Sequence, residues 1–246
     1  MSIPVALLND TRIVQCDERT GSLGGSFYEN PHLQPYSPLP LRWCFDQLIR
    51  YEHATLIDVG ASTGAFTLLS ALHPDLHVWA FEPVSLSNQI LIENCYLNGL
   101  LDGRVVTDKR AVSNYDGIGV MNVVKDNGGK GVSLLNGTPA WHKDTEPVKV
   151  SVVKLDTYCS QFEIKPTFIK IDTEGAEKYV LEGAEETIRK YQPFLLFEYQ
   201  QVNADQYGYN IRDTIEMIEN WGYTWVCPEG LDIWAVPKNW ETKIGV

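Results

Sequence analysis

Four residues carry the chemistry that can be read first from the chain: Asp58, Gly60 and Gly64 within LIDVGASTGAFT (56–67), and Glu82 at the end of HVWAFE. The stretch GASTG has two parsings. Read as G-x-S-x-G, it is a serine nucleophile on a sharp strand-to-helix turn. Read as D-x-G-x-x-x-G, it is a glycine-rich loop on which a cofactor lies against bare backbone. A hydrolase needs an acid and then a histidine downstream of its serine, and the last histidine here is His142, followed by helices and strands with none. A dinucleotide fingerprint G-x-G-x-x-G is also broken, because Ser62 stands where the second glycine should meet a pyrophosphate. The loop reading therefore prevails, with Glu82 placed where two ribose hydroxyls would want a carboxylate.

The elements that must position these residues follow from hydrophobic spacing. Thr55–Val59 is a short apolar strand ending at a glycine, 65–72 has helical spacing, and His77–Phe81 is a second strand. Ser85–Leu97 is a helix stopped by Asn98-Gly99, and Arg104–Thr107 is a third strand. The alternation pauses over about 111–155, which reads as a β-rich insert with a hairpin signal at Asp116-Gly117 and a loop at 126–131. It resumes with a strand at 167–171, one helix over 176–191, a strand at 194–199, a helix at 211–221 capped by Asn210, and strands at 223–227 and 232–236. The fold class expected is α/β: a doubly wound, mostly parallel seven-stranded sheet with an antiparallel C-terminal hairpin. One domain is expected over 1–246. Within it, 1–54 is an N-terminal extension, irregular to residue 38, and a helix covering the site; 55–200 is the core; 201–246 is the C-terminal helix and hairpin.

Composition narrows the partners. The formal net charge is −12, which repels nucleic acid and anionic lipid surfaces, so neither nucleic-acid binding nor membrane insertion is expected. Five scattered cysteines without a C-x-x-C pair suggest reduced structural thiols, and MSIPVALL lacks a basic start and a signal core. A cytoplasmic location is the expectation, and nothing in the sequence sets an oligomeric state.

A second segment is more specific: FIKIDTEGAEKYVLEGAEETIRKYQPFLLFE (168–198), whose KID-x-EGAE run is distinctive. Together with LIDVGASTGAFT, VWAFEPVSLSNQILIENCYLNGL, RAVSNYDG and VKLDTY, it resembles the FkbM family of S-adenosylmethionine (SAM) dependent methyltransferases from about residue 55 to 200. The resemblance implies a Rossmann-like class I methyltransferase fold, SAM as cofactor, and an acceptor hydroxyl on a sugar, glycan or small natural product. The cofactor contacts it implies fall on Asp58, Gly60, Ala61, Ser62, Gly64, Glu82, Pro83 and Asp172. Ser62-Thr63 departs from the family, which more often has Asn followed by a β-branched or small residue. Three other readings remain from the residues alone: a nicotinamide-dependent oxidoreductase, a Ser62 hydrolase and a non-catalytic SAM-binding module.

Lys170 and Asp172 share one face of a strand, with Asp172 at its carboxyl end over the crevice. Asp172 suits the cofactor's ammonium or the acceptor hydroxyl. The candidates for a general base are Asp172, Glu174 and His142, the last in the GTPAWHKD stretch. Glu174 and Glu177 have a second reading as helix-terminus caps, and Lys170 as a structural ion-pair partner. Asp172 and Glu198 close neighbouring strands, but two carboxylates are few ligands, and no metal enters the expectation. Trp141, Tyr199 and Tyr207 are candidates for a stacking wall or for packing.

Overall fold

The residues that build the central sheet alternate between two cores. Leu56, Phe168, Phe194 and Leu196 pack on one face, and Ile57, Ile169, Leu195 and Phe197 on the other. That period of two, buried on both sides, is the mark of parallel strands covered by helices. The computed structural model describes residues 2–6, 8, 13–17, 39–124, 134–135, 144–228 and 230–240.

A hairpin of β1 (Ser2–Ala6) and β2 (Ile13–Asp17) comes first. This pair lies within the N-terminal stretch expected to be irregular; its backbone is instead extended and paired. Then follow α1 (Leu39–Leu48), β3 (Ala54–Val59), a 3₁₀ turn (Thr67–Ala71), β4 (Leu76–Phe81), α2 (Ser85–Leu97) and β5 (Val105–Asp108). A helix over 65–72 is not what forms. Thr67 turns its hydroxyl to Asp58 and Ser70 turns its own to the Leu76 carbonyl, and the segment tightens to a short 3₁₀ piece.

The insert is a separate four-stranded sheet of β6 (Ala111–Val112), β7 (Gly117–Val124), β8 (Leu134–Leu135) and β9 (Thr145–Val153) in the order β6-β9-β7-β8. After α3 (Leu155–Gln161) and β10 (Phe168–Ile171), the helix expected over 176–191 is divided into α4 (Glu177–Glu182) and α5 (Glu185–Tyr191). The break is a tertiary contact. Gly183 lies so near the Ser113 backbone that a Cβ would stand 2.1 Å from the Ser113 carbonyl oxygen, and its own carbonyl accepts from the Asp156 N–H. The chain ends with β11 (Phe194–Glu198), α6 (Gln201–Ala204), α7 (Arg212–Asn220), β12 (Tyr223–Val226) and β13 (Asp232–Pro237). Asn210 Oδ1 accepts from the Arg212 N–H at the start of α7.

The main sheet has seven strands in the order β12-β13-β11-β10-β3-β4-β5, with β13 antiparallel to both its neighbours. Chain progress reverses direction at β3: β4 and β5 lie to one side, β10 and β11 to the other. In such sheets the crevice beyond the carboxyl ends of the strands at that reversal is where ligands bind. Among the described residues, no helix is long and apolar enough to cross a membrane.

Candidate active site

On the β4 side of the crevice, backbone and one carboxylate do the holding. The N–H groups of Gly60 and Ala61 both donate to the Phe81 carbonyl at 3.0 Å, which brings the loop against the end of β4. Ser62 takes a left-handed φ of 50°, and its N–H donates to Glu82 Oε2 at 2.8 Å; the Val84 N–H donates to Oε1 at 2.8 Å. Glu82 thus ties the glycine loop to the start of α2. Burial, opposed by those two bonds, pushes its carboxyl up to about 7. On the other flank of the loop, Asn94 donates to the Thr63 carbonyl at 2.7 Å.

The two glycines are explained first by packing. Gly60, at φ 71°, has no room for a Cβ, which would fall 1.8 Å from the Asp172 carbonyl oxygen; at Gly64, at φ 102°, it would fall 2.7 Å from Leu91 Cδ1. Bare backbone here lets the loop, the end of β10 and α2 close on one another, whatever else lies against it.

Asp58 corrects the simplest reading of the motif. It is fully buried, with Oδ2 accepting from the Thr67 hydroxyl at 2.7 Å and Oδ1 facing Lys170 Nζ at 3.2 Å. Its carboxylate faces protein on both oxygens, so its part in any ligand site runs through Lys170. That lysine, only 4% exposed, donates to the carbonyls of Gly60 at 2.7 Å and Val59 at 3.3 Å, and lies 3.8 Å from Asp172. Burial alone would lower its pKa; Asp58, then Asp172, outweigh burial and hold it above the ordinary lysine value.

The β10–β11 side is built from side chains. Glu177 is buried and accepts from the Thr173 N–H and hydroxyl, both at 2.8 Å, and from the Gly175 N–H at 3.3 Å. It therefore shapes the loop after β10, holding N–H groups that precede α4 rather than those of the helix end itself. Glu174 sits at φ 57°, half-buried, and Asn203 Nδ2 reaches its Oε2 at 3.3 Å and Glu198 Oε2 at 2.9 Å. Gln200 donates to Glu198 Oε1 at 2.6 Å, and the Tyr209 hydroxyl donates to the Gly175 carbonyl at 2.8 Å. Burial first and Asp172 second raise Glu174 to about 7 and Glu198 to about 8. Asp172 itself is exposed, at 52% of its side chain.

The structure thus brings Gly60, Ala61, Ser62, Gly64, Glu82 and Pro83 to one side of the crevice and Asp172 and Glu174 to the other. His142, Trp141 and the 126–131 loop lie outside the described residues. Tyr199 and Tyr207 pack with Tyr209 and Ile211 in a small cluster. Thr67, Asn94 and Asn203 were not singled out by sequence, since each reaches a partner in another element; Gln200, whose partner Glu198 is two residues away, carries no motif of its own. Among the described residues, no group of three or more His, Cys, Asp or Glu side chains is arranged to hold a metal.

A reversal-point crevice of this kind, with a glycine loop tied by a strand-end acid and a second acidic loop opposite, is the frame of a Rossmann-like class I methyltransferase. Residues 58–224 match the family described as the methyltransferase FkbM domain, and the chain belongs to that family. Solved structures with related backbones include the FkbM methyltransferase of Methylobacillus flagellatus KT (18% identity, 75% of this chain and 44% of that one, TM-score 0.48). Others are a SAM-dependent O-methyltransferase of Thermotoga maritima (13%, 84% and 67%, 0.44) and the precorrin-6y C5,15-methyltransferase of Geobacter metallireducens (9%, 80% and 85%, 0.46). The chain spans less than half the length of the Methylobacillus flagellatus protein. No curated protein matches the sequence.

Proposed function

We propose that this chain transfers a methyl group from SAM to a hydroxyl oxygen on a sugar, glycan or small natural product. The observation that carries the reading is Glu82: a strand-end carboxylate drawn over the glycine loop by the Ser62 and Val84 amides. A carboxylate has about four lone-pair sites, and those two bonds leave sites for a ribose diol. The donor set also suits a cationic nucleoside, since Glu82, Asp172 and Glu174 line the crevice. Buried polar atoms of the glycine loop and of α2 still lack a hydrogen-bond partner, among them Thr63 Oγ1 and both ends of the Asn88 amide.

When bound, SAM supplies a methyl group on a positively charged sulfur whose departure is already favourable. The remaining work belongs to the protein. Gly60, Ala61, Ser62, Gly64 and Pro83 would form the wall for the nucleoside, Glu82 would accept from its ribose hydroxyls, and Asp172 would face its ammonium. Holding the acceptor oxygen in line with the methyl carbon supplies much of the acceleration. The acceptor hydroxyl must also lose its proton to a base within hydrogen-bond reach, a contribution of about 10²–10⁴-fold. Glu174, raised to about 7, is suited to take that proton near neutrality, with Asp172 as the other candidate.

Calorimetric titration with SAM and with its demethylated product tests the donor, and transfer of labelled methyl to a panel of hydroxyl-bearing glycans and metabolites tests the acceptor. Micromolar binding of both nucleosides and label in an ether linkage are expected. No binding at millimolar concentration, or label only on nitrogen or carbon, would contradict the reading.

A further inference from the structure

Lys170 is the buried cation whose role sequence left undecided. Among the described residues it is the only buried lysine or arginine. Its register partner across the β3–β10 pair is Asp58, so both side chains leave the sheet on the same face, beneath the glycine loop. An ammonium has three N–H groups. Two of them are directed at carbonyls of the chain leaving β3, Gly60 at 2.7 Å and Val59 at 3.3 Å. Asp58 Oδ1 lies 3.2 Å away without an aligned hydrogen bond, an ion pair formed by proximity and burial. Asp172, at 3.8 Å, is the only one of the two carboxylates with an exposed side chain. The Phe66 ring, its centroid 5.4 Å from Nζ, closes another side.

We propose that Lys170 is a positioning residue of the donor site: its ammonium fixes the Gly60 carbonyl and holds Asp58 out of the crevice, so that Asp172 is the carboxylate it leaves facing the ligand. The inference rests on the reading of this crevice as a SAM site. A plain structural ion pair would only join β3 to β10. A positioning ammonium also senses the ligand, because Asp172 and the Gly60 carbonyl are its own neighbours. The other charged or titratable groups that interact with it are Glu82 after β4, Glu174 after β10 and Cys44 on α1.

The test uses the full chain labelled with ¹⁵N on lysine, and the variants Lys170→Gln and Lys170→Arg. An ammonium held on fixed acceptors exchanges slowly and gives its own signal, assigned by its loss in Lys170→Arg. Saturating SAM is expected to shift that signal more than any other lysine ammonium. Lys170→Gln, which keeps a donor for Gly60 but no charge, is expected to bind SAM about tenfold or more weakly, with Lys170→Arg recovering most of the loss; charge-assisted bonds of this kind are among the stronger ones. An unmoved signal under saturating SAM, or Lys170→Gln binding within about twofold of the unaltered chain, overturns the proposal. Should Lys170→Gln not fold, the signal alone decides. If the unaltered chain takes up no SAM, the donor reading fails and this inference falls with it; binding with an unmoved signal removes the inference alone.

Discussion

The two banks of the crevice hold their charges in opposite ways. On the β4 bank, Glu82 is tied at both oxygens to backbone N–H groups, and the loop it ties is bonded to the Phe81 carbonyl and, through Asn94, to α2. On the β11 bank, Glu174 and Glu198 reach for one amide nitrogen of Asn203, with Asp172 and Glu177 close enough to repel both. The first bank is built to stay in place, and its carboxylate has defined partners. The second collects like charges that disfavour one another, which favours proton exchange over stability. A donor site wants the first arrangement; an acceptor site, where a proton must leave, wants the second.

Substitutions can break or sharpen that contrast. The largest effect is expected at Gly60. Alanine there would place its Cβ 1.8 Å from the Asp172 carbonyl oxygen at a left-handed φ, and the loss of stability should be about 3 kcal/mol or more. Thermal or denaturant unfolding measures it, and a loss below about 1 kcal/mol would mean that the banks are not pressed together as described. Next comes Glu177→Ala, which leaves the Thr173 and Gly175 N–H groups without their acceptor. A loss of about 1–3 kcal/mol is expected, together with weaker turnover from a disordered β10 loop.

Glu198→Gln should act in the other direction. The folded carboxyl titrates at about 8 against an ordinary value of 4.5, so the folded state holds more protons than the unfolded one between those values. Its contribution to stability is complete below about 4.5 and is lost as pH rises through about 8. Glutamine removes that dependence, and the fall in unfolding free energy between mildly acidic and mildly alkaline solution should become shallower. An unchanged slope would contradict the burial and, second to it, the crowding of charge that raise this carboxyl. Smallest of the four is Asn203→Ala. Loss of its shared donor should cost about 1 kcal/mol and move the acidic limb of any pH–rate profile upward, since the amide bond lowers both Glu174 and Glu198.

What sequence disclosed follows the same division. The apolar runs of β3, β4, β10 and β11, the glycine loop and the strand-end Glu82 are local patterns, and local patterns survive folding. The 3₁₀ turn at Thr67 and the break at Gly183 were not legible, because partners outside each segment make them: Asp58 and Leu76 on the flanking strands for the first, the far more distant Ser113 and Asp156 for the second. Asp58 shows the limit within the motif itself. Its position at the end of β3 was right, yet its carboxylate turns to Thr67 and to Lys170, 112 residues further on. Likewise the Asn203 amide that joins Glu174 to Glu198 comes from α6, which carries no pattern of its own.

The most direct test of the account is the affinity for SAM of Glu82→Gln beside that of the unaltered chain, measured calorimetrically from mildly acidic to mildly alkaline pH with unfolding followed in parallel. The account predicts that the variant binds more weakly by about 1.5–3 kcal/mol, beyond any change in stability. It also predicts that the unaltered chain binds more tightly as pH rises through about 7, where Glu82 ionises, and that the variant loses this rise. Equal affinity in the two proteins, flat across that range, would contradict the claim that Glu82 receives the nucleoside.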